Sequence, residues 1–314
     1  MSIGPAAANV VPMNDTPSPF RAGIDLGGTK IEIAVLGPDG GLPIRRRVPT
    51  PDTYEKVVVA VRDLVQGAEA ELGAALSVGV CIPGVISPSS RTIENCNALY
   101  LNGRALDRDL SNAMAREVRV ANDANCFALS EAADGAGAGK SVVFGVILGS
   151  GVGGGLVVDG KIVAGRHAIT GEWGHIPLPW LRPEETPGIH CWCGFWNCLE
   201  MWLAGPGLAA DCDGPGARDA GELPARAAAG DAKAQAALDR HVDRLARGLG
   251  MVIAILDPDV LVLGGGLSNM AHLYEQVPPL LPRYVRSESI TTPLVKNVHG
   301  DSSGVRGAAW LWPA

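Results

Sequence analysis

The chain has 314 residues, 47% hydrophobic and 19% charged, which excludes a disordered chain and allows one large α/β unit or two domains. Its net charge of −7 argues against bulk electrostatic binding to nucleic acid or to an anionic membrane surface. Glycine stands out at 41 residues, near twice the usual ~7% share; lacking a three-residue period, these glycines should mark turns or ligand loops.

Residues 1–20 lack the basic start and apolar run of a signal peptide and read as a tail. No stretch reaches ~18 uncharged apolar residues, so no transmembrane helix is expected and the chain reads as soluble and cytoplasmic. Residues 22–26 form an apolar strand, Gly27-Gly28-Thr29-Lys30 a glycine turn, and Ile31, Ile33 and Val35 alternate along a second strand. Val57, Val58, Val61, Leu64 and Val65 predict a helix over 54–72. A buried strand over 77–82 ends at Pro83-Gly84, a short helix is predicted over 107–117, and a strand over 118–121 leads into a helix over 122–133. A strand over 142–148 then enters Gly149-Ser150-Gly151, with a further strand at 156–158, which repeats the layout of residues 23–40. Leu238, Val242, Leu245, Leu249, Val252 and Leu256 mark one apolar helix face. A strand over 260–263 meets Gly264-Gly265-Gly266, a helix is expected over 269–284, and a last one over 304–312.

Glycine turns of this kind let backbone N–H groups approach phosphate oxygens. Thr29 adds a hydroxyl, and Asp25 at the strand end is placed to hold a Mg²⁺ water, although a plain hairpin turn also explains one such loop. No P-loop spacing is present, and the Gly-x-Gly-x-x-Gly of residues 149–154 leads into a strand, which excludes a dinucleotide fingerprint. Three loops together are more specific. Two from duplicated halves can clamp a nucleotide's phosphates, and the third suits the nucleoside. This layout resembles that of the sugar kinase, actin and heat-shock ATPase superfold.

Phosphoryl transfer to an alcohol needs a carboxylate to take the hydroxyl proton, and Asp123 stands at a strand-to-helix junction. Asn122 or Asp123 also reads as a helix N-cap; the two roles are compatible if Asn122 caps and Asp123 faces a ligand. Cys191, Cys193 and Cys198 offer three thiolates within eight residues, and tetrahedral zinc needs a fourth ligand. His190 adjoins Cys191, and adjacent residues rarely both reach one metal. His175 closes a loop of about 16 residues, which suits a zinc-tied segment. The other cysteines, Cys81, Cys96, Cys126 and Cys212, read as ordinary thiols; seven cysteines cannot all pair and make no disulfide scaffold. Five of the seven tryptophans fall between Trp173 and Trp202, where core packing is the expected role and sugar stacking the alternative.

Glu172-Trp173-Gly174-His175, followed by Cys191-x-Cys193-Gly194-x-x-x-Cys198-x-Glu200, resembles the ROK family of sugar kinases, sugar-responsive repressors and uncharacterised reading frames. The resemblance runs over residues 21–313 and includes Asp25 to Lys30, Asn122-Asp123, Gly149 to Gly151 and Leu263 to Gly266. Residues 121–126, Pro177 to Trp180, 256–260 and 299–312 look closest to the bacterial fructokinase (manno-fructokinase) branch. The resemblance implies an α/β, duplicated actin-like or ribonuclease H-like ATPase fold with two α/β domains around a cleft. Residues 21–121 with a C-terminal helix at about 301–314 would form the small domain, and 122–300 the larger one, with a zinc-binding segment at 171–202. It implies ATP-dependent phosphorylation of a hexose, most simply fructose to fructose 6-phosphate, with glucose, mannose or an N-acetyl-amino sugar as alternatives.

By the same resemblance, Asp123 is the general base, and Asn122, Gly84, Glu172, His175 and Glu200 lie on the sugar side. Asp25, Gly27, Gly28, Thr29, Lys30, Gly149, Ser150, Gly151, Gly265 and Gly266 hold ATP with Mg²⁺, and His175, Cys191, Cys193 and Cys198 hold zinc. A homodimer is implied. The family usually carries Gly at Asn197 and Thr at Ser150; Asn tolerates left-handed backbone and Ser keeps the hydroxyl, so both functions should survive. Only about 20 low-complexity residues precede Arg21, so the repressor class, with its helix-turn-helix domain of ~80 residues, is not expected.

Overall fold

A computed structural model describes residues 18–313, so most of the tail expected at 1–20 lies outside the described residues. The first sheet begins with β1 (Arg21–Leu26), β2 (Lys30–Leu36) and β3 (Ile44–Pro49). Helix α1 (Tyr54–Leu72) leads to β4 (Ser77–Ile82), then the small hairpin β5 (Val85–Ile86) and β6 (Ile93–Glu94). Helix α2 (Leu106–Met114) and β7 (Val118–Asn122) complete this half, and the sheet order is β3-β2-β1-β4-β7. β1 pairs antiparallel with β2 and parallel with β4, which pairs parallel with β7. The nearly unbroken burial of β1 and β4 is what central strands covered on both faces require. Helix α1 starts where Thr53 accepts a hydrogen bond from Lys56 N and stops at Gly73, which has φ +63°.

Strand β3 was not expected from the sequence, because three consecutive arginines hide its alternation. It lies at the sheet edge, where charge is tolerated and discourages pairing with another chain. Arg45 and Arg47 project to one face and each bonds Glu32 of β2 at 2.5 Å, while Arg46 turns to the other face and meets Glu71.

The second sheet repeats the plan. Helix α3 (Asp123–Asp134) precedes β8 (Val142–Leu148), β9 (Val152–Val158) and β10 (Lys161–Ile162). Helices α4 (Leu199–Leu203), α5 (Gly205–Asp213), α6 (Leu223–Ala228) and α7 (Ala232–Leu256) follow, then β11 (Val260–Gly264), α8 (His272–Gln276), β12 (Leu294–Lys296) and α9 (Ser303–Ala309). Its order is β10-β9-β8-β11-β12, with β8–β9 antiparallel and β8–β11 and β11–β12 parallel, the same pairing as the first sheet. The helices cross over between halves: α3 packs on β8 and β9, and α9 packs on β1 and β4. At their crossing a Cβ on Gly307 would lie 1.7 Å from the Cys126 carbonyl oxygen, so only glycine allows the two backbones to meet there.

Two expectations are corrected. The strand expected at 156–158 starts earlier, at Val152, so that Gly153, Gly154 and Gly155 lie inside β9. There the absent side chains make room for packing, because a Cβ on Gly155 would stand 2.5 Å from Ala124 O and one on Gly154 2.8 Å from the Trp173 ring. The helix expected over 269–284 is broken into α8 and two 3₁₀ turns, Gly266–Asn269 and Pro278–Arg283. Pro278, Pro279 and Pro282 remove the amide donors that a continuous helix would need.

Each sheet has its own apolar core, the second one built largely around α7. Among the described residues no helix is long and apolar enough to cross a membrane. A buried ionic group anchors α7 to the segment before the cysteines. Glu185 bonds Arg244 Nε at 2.9 Å and Arg247 Nη2 at 2.5 Å, and Arg247 also donates to the carbonyls of Pro179 and Trp180. Against its burial, the two guanidinium groups hold the Glu185 carboxyl down to about 2. Arg247→Met strips Glu185 of its closest partner inside the protein. It should cost about 3–5 kcal/mol, read as a lower denaturant midpoint, and an unchanged midpoint would show that the pair does not anchor the segment.

Candidate functional site

In-register residues across the first sheet form one lateral row: Arg47, Glu32, Asp25, Cys81 and Ala121. One residue beyond this row the chain passes from β7 into α3, which places Asp123 at the helix start. Asn122 caps the helix, its Oδ1 accepting from Ala124 N at 2.9 Å and Asn125 N at 3.3 Å, while its amide donates to Gly84 O at 3.4 Å. With the cap supplied by Asn122, one oxygen of Asp123 needs only the Ala124 amide, at 2.8 Å. Burial, then the charges of Asp25 and Glu172, push the Asp123 carboxyl up to about 6. A carboxylate with that affinity can take a proton near neutral pH. Burial also raises Asp25, helped by the Glu32 charge. Asp25 and Glu172, far from Asp123 in sequence, thus lie near enough for their charges to act on it.

The first glycine turn is closed by Gly27 N donating to Lys30 O at 3.0 Å, and Gly28, Thr29 and Lys30 stand exposed. Thr50 braces it, its hydroxyl donating to Gly27 O at 2.8 Å. In the second turn Gly149 N donates to Gly151 O at 2.9 Å, and Gly205 N at the start of α5 donates to Gly149 O at 2.8 Å. Ser150 is exposed between them. The third turn sits against the second: Gly265 has φ +77°, and a Cβ there would lie 2.4 Å from Leu148 O. It opens on a cavity of about 620 Å³ lined by Gly265, Gly266, Ser268, Asn269, Lys296, Asn297 and Asp301, among others. That size and polar lining suit a nucleoside. The sequence reading found the glycines of this cavity and missed Asn269, Lys296, Asn297 and Asp301. Those residues come from different segments and carry no motif.

The cysteine segment is folded back on itself. Bridges Pro177–Cys198 and His190–Trp196 hold the strands of the segment together. Asn197 takes φ +60°, the left-handed conformation expected of it. It adds what glycine lacks, because its side chain accepts from Ile189 N at 2.9 Å. The ligand atoms of His175, Cys191, Cys193 and Cys198 lie within 4.8 Å of one another. Cys191 Sγ stands 3.8 Å from His175 Nδ1, and Cys193 and Cys198 Sγ atoms are 3.5 Å apart. Zinc bonds of ~2.3 Å to sulfur and ~2.0 Å to nitrogen give tetrahedral edges of about 3.5–3.8 Å, so the four residues fit that cation. His190 is not among them; its ring packs edge-on against Trp196.

Glu200 leaves this segment at the start of α4 and reaches the second glycine turn. Its Oε2 accepts from Val152 N at 3.0 Å, and its Oε1 from Trp192 Nε1 at 2.6 Å. Trp192, itself exposed, packs edge-on against His175 with ring centres 5.1 Å apart. A carboxylate has about four lone-pair sites, so Glu200 can still accept from a ligand hydroxyl. Glu172 precedes the short 3₁₀ turn Trp173–His175, its backbone carbonyl accepting from His175 N at 3.2 Å and its side chain making no cap bond. Trp173 and Trp202 are core residues, as packing predicts, whereas Trp180, Trp192 and Trp196 are exposed.

The ROK family model matches residues 21–314. The N-acetyl-D-glucosamine kinase of Yersinia pseudotuberculosis is 41% identical over 296 residues, covering 92% of this chain and 97% of that protein. The N-acetyl-D-glucosamine kinase of Salmonella gallinarum is 42% identical over 296 residues, covering 92% and 98%. Among solved structures, the ROK hexokinase from Thermus thermophilus has a TM-score of 0.81 at 32% identity, covering 93% of this chain and 97% of that one. A ROK family glucokinase from Streptomyces griseus, solved with glucose and AMPPNP, has a TM-score of 0.72 at 26% identity, covering 93% and 98%. Duplicated sheets, paired glycine turns and relatives matched along nearly the full length place this chain in the ROK family.

Proposed function

We propose that this protein is an ATP-dependent sugar kinase whose preferred substrate is N-acetyl-D-glucosamine, phosphorylated on its primary hydroxyl. The kinase reading is carried by Asp123, a carboxylate raised to about 6 at the head of α3 and flanked by Asp25 and Glu172. The sugar preference is supported by 41% identity to an N-acetyl-D-glucosamine kinase along 92% of the chain. This replaces fructose as the first choice, because the fructokinase likeness rests on a few short stretches. Fructose remains the second reading on that likeness, seen in residues 121–126 and 299–312.

In this reading Asn122, Gly84, Glu172, His175 and Glu200 line the sugar side. Asp123 takes the hydroxyl proton as the oxygen attacks the γ-phosphorus, the bond from that phosphorus to the β,γ-bridging oxygen breaks and ADP leaves. Backbone amides of the turns at Gly27-Gly28 and Gly149–Gly151, with the Thr29 and Ser150 hydroxyls and Lys30, hold the phosphates. Gly265 and Gly266 border the nucleoside cavity. Bound Mg²⁺ would neutralise phosphate charge, and Asp25 is the residue that would hold it through water. Zinc at His175, Cys191, Cys193 and Cys198 would fix the loop that presents Glu172 and Glu200. Catalysis then comes from positioning and charge stabilisation. Steady-state rates with ATP over a panel of hexoses test the proposal. The highest kcat/KM for N-acetyl-D-glucosamine supports it, and a higher value for fructose restores the second reading.

A further inference from the structure

Asp25 is half-buried, and among the described residues its side chain has one protein hydrogen-bond partner, the Cys81 thiol, with Sγ 3.3 Å from Oδ1. The pairing follows from the sheet. β1 and β4 run parallel with Asp25 opposite Cys81, so both side chains leave the same face. Cys81 is fully buried, packed with Cys126 of α3 and Ala308 of α9 where the two halves cross. A carboxylate drawn partly out of water gains from donors or a cation. Asp25 has one, and a thiol is a weak donor. The neighbouring charges of Glu32 and Asp123 are of the same sign; Lys30 and Arg47 oppose them, but Arg47 is already bonded to Glu32. The carboxylate is therefore oriented at one oxygen, while its other oxygen has no protein hydrogen-bond partner among the described residues.

We propose that Cys81 is the positioning residue for Asp25: its thiol fixes one carboxylate oxygen and leaves the group's remaining lone pairs to the hydrated divalent cation that accompanies the nucleotide. This rests on the reading of Asp25 as the residue that holds the Mg²⁺ water. A cysteine that merely filled space would be replaceable by any side chain of similar size.

The test is calorimetric titration of ADP into the purified full chain, with and without Mg²⁺. The readout is the gain in ADP affinity that Mg²⁺ confers. Cys81→Ala should lose about tenfold of that gain, the scale of one hydrogen bond to a charged group. Cys81→Ser, which keeps a donor, should stay within about threefold of the native value. Cys81→Val fills the space without a donor and serves if the alanine variant fails to fold; it should behave as alanine does. Asp25→Asn separates the two layers. If it keeps the full Mg²⁺ gain, Asp25 does not hold the cation and the proposal falls with that reading. If it loses the gain while Cys81→Ala and Cys81→Val keep it, the proposal alone is overturned.

Discussion

Asp123→Asn should lower kcat by about 10²–10⁴-fold, the usual contribution of a positioned general base, and leave sugar affinity within a few fold. Asn keeps the shape and the contact with Ala124 N but cannot take a proton. The same substitution should stabilise the protein. The folded-state pKa of Asp123 is raised from 3.8 to about 6, so the folded protein binds this proton more tightly than the unfolded chain. The favourable contribution is full below 3.8 and disappears as pH rises through about 6. Near neutral pH the ionised carboxylate therefore weakens the fold, by at most about 3 kcal/mol. A melting temperature above that of the native protein, together with lost turnover, is the expected signature. In the native enzyme kcat/KM should rise with pH and level off above about 6, as the base becomes free of its proton. Near-normal kcat in the Asn variant would remove Asp123 as the base.

Cys198→Ala should have the second largest effect. Cys198 is fully buried, and its thiol approaches both Cys193 Sγ and the His175 carbonyl at 3.5 Å. Burial and the neighbouring sulfurs push the Cys198 thiol up to about 12, and burial raises Cys191 as well, so these two thiols resist ionising unless a cation draws them. Freshly purified native protein is expected to carry about one zinc per chain and the variant close to none. Loss of the cation frees the loop that carries Glu172 and His175, and with it the Glu200 contact to Val152 N beside the second glycine turn. A fall of about 10²-fold or more in kcat/KM follows, because misplacing sugar contacts by an ångström is enough to cost that much. Elemental analysis reads the metal directly. Metal-free native protein, or a variant that keeps equimolar zinc, would contradict the assignment.

What the sequence made legible was local or repeated. The strand–glycine turn–strand unit occurs twice, and its repetition revealed the duplicated fold although each copy alone is a weak signal. The thiol spacing of Cys191, Cys193 and Cys198 pointed to the cluster, and the His175 choice followed from loop length. Other features depended on tertiary partners. The arginines of β3 look like a solvated run until Glu32 is seen to accept two of them. Gly153 to Gly155 fall outside the strand expected at 156–158 because nothing local shows α3 and Trp173 pressing on β9. Cys81 reads as an ordinary buried thiol until parallel pairing sets it beside Asp25. The Trp192–Glu200 bond, eight residues apart along an irregular segment, has no periodicity to announce it.

The most direct test of the central claim is the hexose panel, run with ATP and Mg²⁺ on the native chain. N-acetyl-D-glucosamine should give the highest kcat/KM, with a product phosphorylated at the primary hydroxyl. A higher kcat/KM for fructose, or phosphate transfer to no hexose in the panel, would contradict it.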